Sequence, residues 1–389
     1  MKKLLMFMAL LILSLGVLAA CGGNNNNSET ENNPETDNEV NDNNNEVENN
    51  NEEENTEEAA NNNQEEVELD GELVVYSARN ETFVQALLDK FTDETGIEVL
   101  ALHEADPLQI QEEAGNVQAD VFISNDLGAL EYLNQQDLLE GFEPENVDSI
   151  DEQYRADNNE WVAISARARG FIYNKDMISE DEMPTKMEDL FDPEWSEVDN
   201  GYAITRGGNG GMIGNISALR YEWGDDRTSE WITAIQDEET GAAGIFQGHG
   251  DIRRAVGAGE HAFGLVNNYY YHQQLEEPTD NNVGFIYTDQ GDGEMGAIAN
   301  AAGLGMVAGA PNQENAEAFI EWVLQEENQL AFVGESLEVP INTELDPPFE
   351  EAVPFSELHV QDMPLKELGN YFEDTKTLIE DSGLDLELR

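Results

Sequence analysis

The chain predicts an α/β protein of two lobes, each a doubly wound sheet with helices on both faces, with a ligand cleft between the lobes. Three observations carry that prediction. Short apolar strands alternate with amphipathic helical stretches from Glu72 onward, the alternation resumes beyond Trp161 as a second series, and residues 71 to 389 are more than one small core organises.

The elements follow in chain order. Residues 1–20, MKKLLMFMALLILSLGVLAA, carry two lysines, an apolar run too short and too early for an ordinary membrane span, and small residues before Cys21. This is an export signal, and Leu18-Ala19-Ala20-Cys21 resembles the lipobox of bacterial lipoproteins, in which the cysteine becomes the new N-terminus and carries the lipid. Cys21 is the only cysteine, so an intrachain disulfide is excluded, and acylation explains a thiol found solely at a cleavage site. Residues 21–70 then read as the lipidated cysteine and an Asn/Glu-rich tether with almost nothing to bury and no Lys or Arg. Such a self-repelling coil reaches roughly 40 Å or more.

The whole chain carries a formal charge of −67, from 84 acids and 17 bases. With 17 acids in the tether and two lysines in the signal, residues 71–389 alone stand near −52. That surface argues against nucleic acid or anionic lipid as a partner. It suits solubility in salty or alkaline surroundings.

Glu72 to Tyr76 reads as a strand, and ETFVQALLDKFTDETG places Val84, Leu87, Leu88 and Phe91 at helical spacing before stopping at Gly96. Strands at Ile97 to Leu102 and Ala119 to Ile123 alternate with helices at Ile110 to Gly115 and Leu127 to Asn134, which predicts a parallel sheet. In the second series the strands are Gly170 to Tyr173, Gly201 to Ile204 and Ala262 to Val266. Gly303 to Val307 and a helix from Glu314 to Gln325 return to the first lobe, and the last thirty residues read as helical, with Leu365, Leu368, Tyr371 and Phe372 spaced to pack. The expected lobes are therefore 71–167 with about 299–345, and about 168–298 with 346–389.

Ligands of open α/β sheets bind beyond the carboxyl ends of strands, which singles out Ser77 to Glu81, Ser124 to Asp126, Thr205 to Asn209 and the run after Val266. That run is NNYYYHQQ, Asn267 to Gln274. Asn267 and Asn268 are good N-cap residues, so the three tyrosines open a helix, where two neighbouring phenols converge on one point. A phenolate is a hard anionic oxygen ligand, and a tightly held trivalent cation lowers its pKa from about 10 far enough to ionise it at neutral pH. Ferric iron meets that demand; the alternative is three rings packed beneath a helix.

LVVYSARNETFVQALLDKFTDETGIEV, QADVFISNDLGALEYL, WVAISARARGFIYNKDMI and AVGAGEHAFGLVNNYYYHQQ together resemble the ferric-iron-binding receptors of bacterial ABC importers, of the periplasmic-binding-protein-like fold. The resemblance covers residues 72 to 389 and implies no enzymatic activity. By position it implies Tyr269 and Tyr270 as iron ligands, Tyr271 as packing, and Asn267 beside a synergistic anion such as carbonate. Arg79 and Arg167 match arginines that hold that anion in relatives using carbonate, and their forked donors suit a small planar oxyanion. Arg169 has the same chemistry and reads either as that or as a structural ion pair.

The sequence departs from the family at several ligands. Asn80 and Glu81 stand where some relatives offer a histidine, Asn125 and Asp126 where some offer a glutamate, and a third tyrosine is absent from TRGGNGGM. Glu81, Asp126 and His249 are the local candidates to complete the shell. Glu81 and Asp126 read equally as helix caps, and His249 in QGHGD as a solvent-exposed loop residue. Arg206-Gly207-Gly208 offers a cation and open amides to an anion, or is a plain turn.

There is no Cys pair, HExxH, GxSxG or P-loop lysine, and the five histidines include no close helical pair. The expected partners are an ABC permease with its ATPase and, through Cys21, the outer face of the cell membrane, for a monomeric receptor that closes by a hinge. The rival within the fold is a receptor for another metal chelate, an organic cation or a sugar, with Trp161 or Trp223 as stacking surfaces. A surface adhesion or scaffold protein is the rival from another class.

Overall fold

A computed structural model describes residues 71–386; the signal sequence, Cys21 and the acidic tether lie outside the described residues. Strand β1 (Glu72–Ser77) buries Leu73 and Val75 on the face covered by α1 (Gln85–Thr95). The helix expected from Glu81 is split, because Val84 at φ −141° ends a 3-10 turn over Glu81–Phe83 before α1 begins. Leu87, Leu88 and Phe91 face inward as spaced, and Gly96 ends α1 at φ 80°, the left-handed cap that glycine adopts without a Cβ clash. Phe91 meets Phe319 and Trp322 edge-on at 5.0 and 5.2 Å, so Phe91→Ala would cost about 3–5 kcal/mol.

Strand β2 (Glu98–His103) leads to α2 (Pro107–Glu112), which starts earlier than its apolar spacing predicts because Asp106 caps it and Pro107 opens it. After β3 (Val121–Ser124), α3 (Leu127–Asn134) and the short β4 (Leu139–Glu140) comes β5 (Val162–Asn174), thirteen residues and buried throughout. Sequence reading recovered only its Gly170–Tyr173 portion, since the alternating arginines of SARARG break the apolar run.

The second series is β6 (Tyr202–Thr205), α4 (Gly210–Trp223), α5 (Asp225–Gln236), β7 (Gly244–Phe246), α6 (His249–Gly257), β8 (Phe263–Asn267), α7 (Asn268–Leu275) and β9 (Val283–Tyr287). The chain then returns through β10 (Ala299–Val307), α8 (Gln313–Val323), α9 (Glu326–Ser336), β11 (Val339–Pro340) and α10 (Glu367–Asp381).

Two sheets result, and they share one strand. The first runs β2-β1-β3-β10-β5, with β4 on β10 and β11 on β5; the second runs β7-β6-β8-β5, with β9 also on β5. The pairs among β1, β2 and β3 are parallel as expected, but β10 is antiparallel to both β3 and β5, so the first sheet is mixed. On β5 the handover is sharp: Ala168 pairs with Ala299 of β10, and the next residue, Arg169, pairs with Asn267 of β8. Helix α10 lies against α3, where Gln135 donates to Asn370 at 2.9 Å, and against α4, where Ser217 and Thr375 are hydrogen-bonded at 2.9 Å.

Candidate metal centre

The site is built where β5 changes sheets. Asn267 ends β8 and occupies the N-cap position of α7, yet its side chain makes no cap bond; its Oδ1 accepts instead from Arg169 Nη1 at 3.1 Å. Asn268 Oδ1 accepts the Ala168 amide at 3.1 Å, filling the backbone donor at the handover. The two asparagines thus fasten the start of α7 to the crossing, and the expected capping role passes to this tertiary one.

Tyr269 and Tyr270 follow at once, with ring centroids 4.3 Å apart and planes tilted by 33°. Burial pushes the Tyr270 phenol well above its ordinary value, the neighbouring phenol adds to this, and Arg167 opposes it. Tyr270 is therefore protonated at neutral pH. Tyr271 points elsewhere and stacks on Phe285, 5.7 Å away at 25°.

Arg167 and Arg169, two residues apart on one strand, share a face of β5. Among the described residues Arg169 makes no ion pair. Its Nη1 donates to His249 Nε2 at 2.7 Å as well as to Asn267, while its Nε and Nη2 are buried with no partner. Burial pushes its pKa down to about 9, against the pull of Tyr269 and with the push of Arg167.

His249 opens α6 and, contrary to the expectation of an exposed loop residue, is only 4% exposed, its ring edge-on to Tyr270 at 5.1 Å. A guanidinium has no lone pair to offer, so Nε2 must be the acceptor and the ring neutral with its proton on Nδ1. Burial, then Arg169 and Arg167, hold the imidazole well below its ordinary pKa. The Nε2 lone pair is committed to Arg169, so in this arrangement His249 orients that guanidinium.

Arg167, Arg169, Asn215, Asn267, Asn300 and the first turn of α4 line a narrow crevice beside the tyrosines. Asn215 is 1% exposed, and neither end of its amide has a partner. The N-terminus of α4 adds a positive dipole end to the same space. Gly211 is required there, because a Cβ would lie 2.5 Å from His249 Cε1.

The other expected residues lie as follows. Arg167 lines the crevice, and its fork and that of Arg79 grip Glu338: Arg79 Nη2 donates to Oε2 at 3.0 Å and Arg167 Nη1 to Oε1 at 3.3 Å. Glu81 is exposed, and the cap of its turn is Asn80, whose Oδ1 accepts from Thr82 N. Asp126 takes the cap role on α3, accepting from Ala129 N at 3.3 Å, and its second oxygen accepts from the Asn300 amide. At Arg206-Gly207-Gly208 the chain's own C-terminal segment fills the turn: the Gly207 and Gly208 amides donate to the carbonyls of Asp385 and Leu386 at 2.9 and 3.0 Å, and Arg206 donates to Leu386. Trp161 is wholly buried, donating to Glu131, and Trp223 lies under Arg227, so neither forms a stacking wall for a ligand here. Among the described residues no group of three or more His, Cys, Asp or Glu is disposed to hold a metal.

Sequence reasoning missed Glu338, Asn215 and Asn300. Glu338 alone carried a signal, as the single charge in the apolar run LEVPI.

The chain belongs to the bacterial extracellular solute-binding protein family, whose model matches residues 116–363. Within that class its relatives include the Fe(3+)-binding periplasmic protein of Serratia marcescens, 28% identical over 265 residues that cover 67% of this chain and 75% of the other. Iron uptake protein A1 of Synechocystis is 28% identical over 324 residues, covering 80% and 87%. Among solved structures, iron-bound HitA from Pseudomonas aeruginosa aligns with a TM-score of 0.72 at 26% identity, covering 80% of this chain and 99% of that one. The Trichodesmium protein in complex with iron and citrate aligns at 0.69 and 25%, covering 81% and 100%.

Proposed function

We propose that this chain is the substrate-binding component of an ABC importer: it captures ferric iron in the interlobe crevice and delivers it to a membrane permease driven by a cytoplasmic ATPase. The observation that carries this is the phenol pair of Tyr269 and Tyr270 converging at a helix start beside the buried, half-unpartnered Arg169. Iron is the cargo. Each phenol exchanges its proton for the metal, and two oxygen donors leave most of a ferric shell to groups that arrive with the ion. A co-bound oxyanion, carbonate or a chelator's carboxylate, fits that need, docking on the free donors of Arg169, on Asn215 and on the α4 terminus.

The lobes in this reading are residues 71–167 with about 299–345 and residues about 168–298 with 346–389, closing by bending at β5. Export and attachment to the outer face of the cell membrane through a lipid on Cys21 belong to the same proposal, with the protein acting as a monomer. The receptor binds and releases without catalysing a reaction. Titration with ferric citrate, and with ferric iron plus bicarbonate, should raise a visible phenolate-to-iron charge-transfer band. A band that survives Tyr269→Phe combined with Tyr270→Phe, or no band at all, sinks the iron assignment.

A further inference from the structure

Glu338 is one of the few carboxylates sealed inside this acidic chain, 1% exposed. Its place follows from local structure. Leu337 ends α9 at φ +57°, and the chain turns directly into β11, where Val339 pairs with Ala166 and Pro340 with Ser165. That antiparallel register sets Glu338 opposite Arg167. Oε2 accepts from Arg79 Nη2 at 3.0 Å and from Ser165 Oγ at 2.6 Å, and Oε1 accepts from Arg167 Nη1 at 3.3 Å. The Arg79 guanidinium is itself fixed between Phe332 and Phe83, 4.8 and 5.7 Å from their ring centres. Two guanidinium groups and a hydroxyl thus surround one planar carboxylate, the arrangement that would receive a small planar oxyanion from solution.

We infer that Glu338 is a specificity-determining residue: its carboxylate occupies the oxyanion position between Arg79 and Arg167, so a co-bound anion is directed to Arg169 alone. The charges agree. Arg79 and Arg167 against Glu338 leave one excess positive charge shared over two guanidinium groups; Arg79, like Arg169, keeps two buried donors without partners, but Arg169 alone of the three faces no carboxylate among the described residues. Burial by itself would raise the Glu338 pKa, but Arg79, Arg167 and the Ser165 hydroxyl outweigh it and hold the group below the usual carboxylate range, ionised as the arrangement requires. Removing its carboxylate would turn a closed position into an open one.

The inference goes beyond the ferric reading, and its test needs no iron. The unfolding temperature of the purified apo protein is titrated with bicarbonate and, in parallel, with phosphate, which reports the anion concentration at half effect. Glu338→Ala should lower that concentration at least tenfold for bicarbonate, because Arg79 and Arg167 then face an unfilled site. The paired change Arg79→Met with Glu338→Met, which removes one charge of each sign and refills the space, should leave it within about threefold of the unaltered protein; Arg169→Met should abolish the effect. Where Glu338→Ala does not fold, the paired variant decides. An unchanged half-effect in Glu338→Ala would show that Glu338 closes no anion position, and a tenfold or greater loss in the paired variant would place the anion on Arg79; either overturns the inference. Absence of an iron band in the unaltered protein would refute the ferric reading while leaving this titration standing.

Discussion

Replacing Arg169 by methionine should make the empty protein more stable and the loaded one weaker. Burial lowers the Arg169 pKa to about 9, so the folded state disfavours its charge by about 5 kcal/mol at most. Because the folded value lies below the unfolded one, that penalty is present in full below about pH 9 and fades as the pH climbs toward the ordinary arginine value. Methionine fills similar volume without charge but strips the donor from His249 Nε2 and Asn267 Oδ1, a loss of about 1–1.5 kcal/mol for each. The net gain for the apo protein is about 2 kcal/mol. At about 2.1 cal/mol/K per residue over roughly 320 residues, this raises the unfolding temperature by about 3 °C. Urea unfolding at pH 7.5, without iron or added anion, measures it. In the presence of ferric iron and bicarbonate the same variant should bind about 10- to 100-fold more weakly, the worth of a charge-assisted contact. An apo variant less stable than the parent by 2 kcal/mol or more, combined with unchanged iron affinity, would refute the reasoning, because Arg169 would then be a structural residue.

Two further outcomes follow from groups around and away from the site. Gly211→Ala drives a Cβ to 2.5 Å from the His249 ring and should tilt that ring off Arg169; iron affinity with bicarbonate should fall about tenfold, while far-ultraviolet circular dichroism is unchanged. Asp289, 5% exposed and at φ 57°, has its pKa raised to about 6, by burial first, despite accepting from Met187 N. A raised acid binds its proton more tightly when folded, so its protonation supports the fold below about pH 4 and that support is lost as the pH rises through 6. Asp289→Asn keeps the acceptor, tolerates the left-handed backbone and never ionises. Its stability relative to the parent should therefore grow between pH 4 and pH 7 by on the order of 2 kcal/mol in denaturant titrations, and a flat difference across that range would contradict the assignment.

The parts legible in the sequence were those written by period and punctuation. Val84, Leu87, Leu88 and Phe91 announced α1, Gly96 its end, and Leu127 to Asn134 the whole of α3. The tyrosine pair was visible as a run behind two asparagines, and its place at the start of a helix followed. What stayed hidden depended on pairings between distant segments. Nothing near Arg79 shows that a carboxylate some 260 positions later will close on it, because that contact exists only once β11 takes its register on β5. The arginines of SARARG obscured β5 for a related reason: a strand covered on both faces was expected to be apolar, and two of its side chains serve the crevice instead. His249 looked exposed because its glycine neighbours suggest a loop, whereas α4 and Tyr270 cover it in the fold.

Strand β5 has a further consequence for how this molecule comes into being. Its first half completes one sheet with partners at 299–304 and 339–340, and its second half completes the other with partners at 263–267 and 283–287. The first sheet is drawn from separate stretches of chain and the second from residues 169–287, and neither closes before residues synthesised much later arrive. Most of these pairings span more than a hundred positions, so loop closure is costly and folding correspondingly slow. An exported chain of this design can cross a membrane before it has anything to fold around.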